Sequence, residues 1–393
     1  MPRAAQFASF FAIVLSIMGL LHFYVWTRLV VDPAPPPGIR RALSLGMMVL
    51  FATIPLAFYA TRAPDVSARR FMSFPGYVWL GVLFLLFATL ASLDVVRGVG
   101  ALVQHLVADV PPADPERRAT VARLFAFAVA LVGGGASIAA IRSGLGPVIV
   151  KEVRIRLDRL PQSLHGMTLV QITDVHVGPT IGREFVADLV RRINALSPDV
   201  IAITGDLVDG SVDELAEQVA PLADLKSRYG AYFVTGNHEY YSGVEPWCRE
   251  VARLGIKVLR NERVEIAGAD GASFDLAGID DHTAERFGGS SNVAKAVAGR
   301  DTSRELVLLA HQPRAVHQAS EHGVGLQLSG HTHGGQIWPW KYLVYLQQPV
   351  VAGLAKIGRT LVYVSCGTGY WGPPMRLGAP AEITRITLES GTA

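Results

Sequence analysis

Four long apolar segments fill most of the first 145 residues and constrain the fold more than any other feature of the chain. They cover about residues 7–26, 42–60, 77–93 and 124–141, and none contains Asp, Glu, Lys or Arg. A helix needs about 20 predominantly apolar residues to cross a bilayer. Over the whole chain 50% of residues are hydrophobic and 18% are charged, against about 25% charged in an average soluble domain. We therefore predict a transmembrane region of about four helices over residues 1–145.

Other interpretations of these segments are weaker. The first segment is longer than the apolar core of a secretory signal peptide, and no small-residue cleavage site follows it. Residues 94–110 alternate apolar and polar side chains, which indicates either an amphipathic helix on the bilayer surface or an extension of the third span. A transporter would require ionisable residues within the spans, and His22 alone qualifies.

The orientation in the membrane is set by the arginines of the loops. Their numbers on the two sides are nearly equal, so the count leaves the topology open. The pair Arg117-Arg118 before the fourth segment favours an extracytoplasmic position for the residues after 145, with the cytoplasmic side as the alternative. We expect a multi-pass protein of a bacterial inner membrane.

A second domain, at residues 150–393, shows the periodicities of a water-soluble fold. Arg183–Leu196 has an apolar helical face, and Ser211 with Glu214 matches a helix capping box. Cys248 and Cys366 leave one disulfide open as an option, with Cys248 interpreted as a packing residue. The chain has 36 basic and 33 acidic residues, so its formal net charge is only +3. Because this charge is too small to favour nucleic acid, we expect no nucleic-acid partner.

Five strand-like runs in this second domain end abruptly in polar residues that can bind metal. They end at Asp174-Val175-His176, Gly205-Asp206, Gly236-Asn237-His238-Glu239, His311 and Gly330-His331-Thr332-His333. In layered α/β proteins, loops converge at strand ends and form sites there. One edge of a sheet would thus collect two aspartates, one asparagine and five histidines.

This set of side chains suits divalent transition metals. Imidazole nitrogens combined with carboxylate oxygens favour ions such as Mn, Fe or Zn, and a bridging carboxylate such as Asp206 can join two of them. Two ions about 3.5–4 Å apart can hold a phosphoryl group and activate water. The glycines at 205, 236 and 330 allow tight turns and close backbone approach.

The ordered motifs resemble the calcineurin-like metallophosphoesterases over about residues 160–390. The resemblance implies an α/β fold, a four-layer αββα sandwich, with two divalent metal ions. It implies Asp174, His176, His333 and Asp206 as ligands of the first metal. It implies Asp206, Asn237, His311 and His331 as ligands of the second. His238 would be the catalytic histidine, and Glu239 would orient it.

The expected function is hydrolysis of a phosphate monoester, diester or pyrophosphate by attack of a metal-bound hydroxide. The membrane half resembles a bacterial subgroup of membrane-anchored or exported phosphoesterases, which favours lipid- or envelope-linked substrates and membrane lipids as partners. A nucleotide-linked acylated glucosamine is one pyrophosphate substrate that the family suggests. The alternative is a non-catalytic membrane sensor or scaffold built on a phosphoesterase-like domain.

Several residues near these motifs also have predicted roles. Asp209 is interpreted as a turn or cap residue, and Asp280-Asp281-His282 as a solvated loop that could also line the cleft. Two aromatic loops, 336–340 and 369–376, are interpreted as loop packing, as a lip for substrate or as a surface that enters the lipid headgroup region. In the substrate interpretation, Arg376 would hold a second phosphate or a carboxylate.

Overall fold

The computed structural model describes residues 3–60, 66–107 and 114–391. By contacts between Cα atoms the chain divides into two compact units. The first contains the residues up to 142 together with the short segment 372–375, and the second contains residues 143–371 and everything from 376 onward. The boundaries 1–145 and 150–393 derived from the sequence remain predictions.

The first unit is built from helices. They are α1 (Arg3–Trp26), α2 (Pro37–Ala60), α3 (Val66–Val107) and α4 (Pro115–Gly144), and a π-helical turn at Thr27–Val31 continues α1. Within the described ranges, four helices are long and apolar enough to cross a membrane. Because α3 is continuous to Val107, residues 94–107 extend the third helix and do not form a separate surface helix. Residues 108–110 of that predicted segment lie outside the described residues.

Polar contacts join α1 to α3. Tyr24 donates a hydrogen bond to Asp94 at 2.6 Å, and Arg28 pairs with Asp94 at 2.9 Å. The buried His22 receives a hydrogen bond from Trp79 Nε1 at 2.8 Å, and its Nδ1 lies 2.8 Å from a carbonyl oxygen of the preceding helical turn. Since both ring nitrogens have partners, His22 serves helix packing, which leaves the transporter interpretation without support.

The second unit contains twelve strands among the residues that the structure describes. They are β1 (Ile149–Leu157), β2 (Thr168–Ile172), β3 (Val200–Thr204), β4 (Ala231–Val234), β5 (Lys257–Val258), β6 (Glu262–Ala267), β7 (Ser273–Gly278), β8 (Leu306–Leu309), β9 (Leu326–Ser329), β10 (Gly353–Ile357), β11 (Thr360–Val364) and β12 (Glu382–Ser390). The helices are α5 (Arg183–Ala195), α6 (Val212–Val219), α7 (Asn237–Ser242), α8 (Val244–Arg253), α9 (Val293–Val297), α10 (Val316–Glu321) and α11 (Lys341–Val344).

These strands form two six-stranded mixed sheets. The orders are β1-β12-β2-β3-β4-β5 and β10-β11-β9-β8-β7-β6. One apolar core, which includes Leu169, Val234 and Phe274, lies between the sheets. A second core packs α5, α6 and α8 on the outer face of the first sheet, and a third packs α9 and α10 on the second sheet. The four-layer αββα sandwich is therefore confirmed.

Local predictions in this unit also hold. Helix α5 buries Val186, Leu189 and Ile193 on the face that periodicity selected. The capping box at α6 forms, with the Ser211 amide donating to Glu214 at 3.0 Å. Cys248 is buried as a packing residue. Both cysteines are free thiols.

Candidate metal centre

All five polar motifs lie at carboxyl ends of central strands. Strands β2, β3 and β4 are parallel neighbours in the first sheet, and β8 and β9 are parallel neighbours in the second. Parallel strands end at the same edge of a sheet. The Gly330 amide donates to the carbonyl of His311 at 2.9 Å, and the Asp174 amide donates to the carbonyl of Gly205 at 3.0 Å. The loops after these strands are thus fixed against one another.

The convergence produces three overlapping groups of potential metal ligands. Within each group, one ligand atom per residue lies within 4.8 Å of the others. The groups are Asp174, His176 and His333; His176, Asp206 and His238; and Asp206, His311 and His331. Because Asp206 and His176 each belong to two groups, the three form one continuous cluster.

The backbone of this cluster adopts an uncommon conformation. Five non-glycine residues have φ between +50° and +69°: Asp174, His176, Asp206, His331 and His333. Left-handed backbone is unfavourable for residues with a β-carbon, and it persists where the surrounding structure imposes it, often at functional sites. The strained positions coincide with residues that the sequence motifs selected as ligands.

Two glycines allow the loops to approach. A β-carbon at Gly236 would overlap the carboxylate and the amide nitrogen of Asp206, and one at Gly330 would overlap Thr173 and the Asp174 carboxylate. The predicted role of these glycines in close backbone approach is confirmed.

The chemistry of the donor atoms fits divalent metal ions. Nε2 of His176 faces Nε2 of His333 at 3.1 Å, and Nε2 of His311 lies 3.1 Å from Oδ2 of Asp206. Oδ1 of Asn237 is buried and has no hydrogen-bond partner among the described residues. Acceptor atoms rarely face one another or stay unpaired in a protein interior. Ligation of cations by these nitrogen and oxygen atoms would satisfy them.

Asp209 contacts two histidines of the centre through one oxygen. Its Oδ1 lies 3.0 Å from Nδ1 of His176 and 2.6 Å from Nδ1 of His238. A carboxylate on Nδ1 fixes the tautomer and leaves Nε2 to face the cluster. Asp209 lies in a bend, as its interpretation as a turn residue expects, but that interpretation missed its contacts with the two histidines. The sequence signal for this role is the position of Asp209, three residues after Asp206.

Glu239 has a different role from the predicted one. Its buried carboxylate accepts hydrogen bonds from the backbone amides of Gly236 at 2.6 Å, Asp206 at 3.0 Å and Leu207 at 2.8 Å. It ties the loop after β4 to the loop after β3. The direct contact to the His238 ring comes from Asp209 and not from Glu239.

The electrostatic environment of the centre shifts the pKa values of its histidines in opposite directions. Burial by itself would lower the pKa of His238, but the carboxylates of Asp206 and Asp209 outweigh it and raise the pKa to about 9. Burial, reinforced by the nearby His311, lowers the pKa of His331 to about 4. His331 is thus a neutral imidazole, the form that ligates metals. A bound cation would oppose the increase at His238.

Comparison with known proteins agrees with this geometry. The profile of the calcineurin-like phosphoesterase family matches residues 167–335. A zebrafish (Danio rerio) transmembrane protein with metallophosphoesterase domain is 35% identical over 98% of this chain and 91% of its own length. The chain belongs to the calcineurin-like phosphoesterase family. It is a metallophosphoesterase, a hydrolase that acts on phosphate esters.

Other relatives of this metallophosphoesterase come from animals and bacteria. The cattle (Bos taurus) protein with the same description is 36% identical over 95% of this chain and 88% of its own length. An uncharacterized metallophosphoesterase of Campylobacter jejuni is 31% identical over 98% of this chain and 99% of its own length. The four apolar helices and the transmembrane descriptions of the animal relatives indicate a membrane protein.

The structure corrects two predictions about neighbouring residues of the metallophosphoesterase centre. Arg376 is fully buried and donates to the carbonyl oxygens of Cys366, Gly369 and Ala379, so it braces a loop and has no access to substrate. The loop at 280–282 is not solvated throughout: Asp280 pairs with Arg260 at 2.9 Å, and Asp281 is 2% exposed. Its second interpretation, as lining of the cleft, agrees with the structure, because the loop lines a cavity together with His311.

Aromatic side chains lie beside the catalytic histidine predicted for this family. The rings of Tyr241 and Trp371 have centroids 5.5 Å and 5.8 Å from that of His238. Both side chains are more than half exposed. Trp371 is held by hydrogen bonds between its backbone and the amide group of Gln336. Trp371 and Tyr241 thus lie at the exposed edge of the centre, beside His238.

Proposed function

We propose that this protein is a binuclear metal-dependent phosphoesterase in which Asp206 bridges two divalent ions. Asp174, His176 and His333 complete the first set of ligands, and the second set is Asn237, His311 and His331. The observation that carries the proposal is the continuous cluster, in which Asp206 and His176 are shared between ligand groups drawn from both sheets. Mn, Fe and Zn all suit this mixture of imidazole and carboxylate.

In the proposed reaction the bound metals and the side chains of the centre have separate roles. Bound metals would supply Lewis-acid polarisation of the phosphoryl group and lower the pKa of water. His238 is the candidate carrier of the proton or positive charge for the departing oxygen, since the carboxylates of Asp206 and Asp209 favour its protonated ring against the effect of burial. Asp209 holds that ring through Nδ1. The rings of Tyr241 and Trp371 lie against that of His238, with centroid distances of 5.5 Å and 5.8 Å.

A lipid-linked ester is the substrate class that we favour. Residues 338–346, here called the apolar segment, expose large side chains to solvent, from 49% at Trp340 to 80% at Leu346. Its members are Trp338, Trp340, Tyr342, Leu343, Tyr345 and Leu346. Clustered exposed apolar side chains mark interaction surfaces, and aromatic residues suit the lipid headgroup region. The same chain carries the four apolar helices.

The first experiment is manganese-dependent hydrolysis of bis-p-nitrophenyl phosphate by the full chain purified in detergent. Asp206→Asn removes the charge of the bridging carboxylate at nearly constant shape and is expected to abolish turnover. The exposed Asp224→Asn is the matched control and should retain the wild-type rate. Metal content per chain is measured for all three proteins.

The same experiment distinguishes the enzyme from the alternative function. Turnover that disappears in Asp206→Asn supports the enzyme. Two bound metals without turnover of diester, monoester or pyrophosphate probes would overturn the proposal and favour a sensor or scaffold. The presence of His238 and of every predicted ligand already speaks against that alternative.

The lipid preference has its own test. Phosphatidyl esters in mixed micelles are compared with their water-soluble headgroup esters. The variant Tyr342→Ser/Leu343→Ser should raise KM for the micellar ester at least several-fold more than KM for the soluble ester. An equal change in the two KM values would contradict a role for the apolar segment in lipid binding.

A further inference from the structure

The metal centre meets solvent through two of its histidines. Among the proposed ligands and the proposed catalytic histidine, His238 and His331 are partly exposed, and the other members are buried. A substrate phosphate therefore has to reach the centre on the side of these two rings. The side chains that border them determine which organic group can accompany the phosphate.

Three exposed aromatic side chains form a continuous surface at His238. The rings of Trp371 and Tyr241 have centroids 5.8 Å and 5.5 Å from the His238 ring, and the Phe287 ring is 6.5 Å from that of Tyr241. These separations are typical of aromatic rings in contact. Trp371, Tyr241 and Phe287, here called the aromatic rim, are 55%, 60% and 56% exposed. Clustered exposed apolar side chains of this kind mark ligand-binding grooves or interaction surfaces.

The aromatic rim is attached to the elements that form the centre. Tyr241 lies on α7, three positions after the proposed catalytic histidine, so the two side chains share one face of that helix. The Phe287 ring packs on the buried Tyr240 of the same helix, with centroids 5.6 Å apart. The backbone of Trp371 forms two hydrogen bonds with the amide group of Gln336, at 2.9 Å and 3.0 Å. The position of the rim beside the centre therefore follows from the same helix and loops that form the centre.

We propose that the aromatic rim is the subsite for the leaving group of the phosphate ester, and that it selects a leaving group with an apolar chain. The proposal rests on the proposed function, in which His238 serves the departing oxygen. In that hydrolysis the bond from phosphorus to the departing oxygen breaks, water supplies the new oxygen on phosphorus, and the departing oxygen takes up a proton. The carbon atoms attached to the departing oxygen then lie next to His238, where Tyr241 and Trp371 are the neighbouring surfaces. Because Phe287 extends this surface beyond Tyr241, a chain of several carbons can follow it.

The test uses two monoesters, 4-methylphenyl phosphate and 4-butylphenyl phosphate. Their phenols have nearly equal acidity, and the only organic group of a monoester is its leaving group. Complete burial of a methylene group is worth about a fourfold change, so contact on one side should give roughly twofold for each methylene. For the three additional methylene groups, the manganese-loaded full chain in detergent should favour the butyl ester by roughly eightfold in kcat/KM.

A double variant tests whether the aromatic rim is responsible. Tyr241→Ser/Trp371→Ser removes two of the three rings, and the preference should fall to about twofold or less. Leu354→Ser is the control, because this leucine is 45% exposed on the edge strand β10, and it should keep the wild-type preference. A merely structural defect would lower kcat/KM for both esters equally, whereas loss of the subsite lowers it more for the butyl ester. Equal kcat/KM values in the wild type, or an unchanged preference in the double variant, would overturn the proposal.

A binding measurement separates failure of the subsite from failure of the enzyme. Affinities of 4-methylbenzylphosphonate and 4-butylbenzylphosphonate, which phosphoesterases do not hydrolyse, are compared by calorimetry on the manganese-loaded full chain. Tighter binding of the butyl compound that is lost in the double variant supports the subsite even where neither monoester is hydrolysed. Equal affinities, together with turnover of both monoesters, overturn the subsite and leave the enzyme in place. Should the double variant fail to fold, the single variant Tyr241→Ser takes its place in both comparisons.

Discussion

Oδ1 of Asp209 lies 2.6 Å from Nδ1 of His238, and the same oxygen lies 3.0 Å from Nδ1 of His176. One carboxylate thus orients both a proposed metal ligand and the proposed catalytic histidine. The nearby imidazoles, opposing the effect of burial, hold the pKa of Asp209 well below its usual range, so this oxygen is a charged acceptor. Its two contacts couple the position of the metal to the position of the proton donor.

Asp209→Asn should lower kcat/KM by roughly 10–100-fold, the usual effect of removing a residue that orients a metal ligand. Steady-state kinetics on bis-p-nitrophenyl phosphate measure the loss. A positioning role also predicts a changed pH profile, because the variant removes a charge beside His238. The exposed Asp213→Asn is the control. An unchanged rate and pH profile in Asp209→Asn would contradict the coupling.

Gly236→Ala should disrupt the centre, because the added methyl group would overlap the carboxylate and the amide nitrogen of Asp206. We expect a loss of bound metal and a decrease of about 1–3 kcal/mol in the free energy of unfolding. Metal analysis and denaturant unfolding provide the measurements. Gly98→Ala is the matched control, since a β-carbon there meets open space. Full metal occupancy in Gly236→Ala would show that the loops are not packed as tightly as described.

Removal of the metals should destabilise the second unit. A ligand at 100 times its Kd stabilises the folded state by about 2.7 kcal/mol. For a unit of this size that corresponds to a Tm shift of roughly 5–10 °C. Thermal unfolding is followed with EDTA and after addition of excess Mn²⁺. Asp206→Asn should show little response to Mn²⁺, and an equal response in that variant would place the binding site elsewhere.

Both cysteines should resist alkylation in the folded protein. Burial raises the pKa of Cys248 to about 12 and that of Cys366 to about 11. A raised thiol pKa means that the reactive thiolate is scarce between pH 7 and 9. Mass spectrometry after iodoacetamide treatment at pH 8 should find both unmodified in native protein and labelled after denaturation. Rapid labelling of native Cys366 would contradict its burial beside the centre.

The sequence predicted the residues of the centre better than their supporting contacts. Asp174, Asp206 and His331 could be found because each follows an apolar strand within a short motif. The role of orienting His238 was given to Glu239, whereas Asp209 makes the contact, since a choice between two nearby carboxylates depends on how the loops fold. Arg376 was misjudged for a similar reason: a loop arginine near a motif resembles a substrate ligand until its burial is known.

The sequence by itself determined the four apolar helices, the five strands that end in the polar motifs and the candidate metal-binding residue types, because hydrophobic periodicity and short motifs are local properties of the chain. The tertiary structure alone decided which atoms meet. Oδ1 of Asp209 reaches two histidines, and Glu239 ties two loops together. The contacts of Asp209 and Glu239 join loops that follow neighbouring strands of the first sheet, and their distances are fixed only when those strands pair.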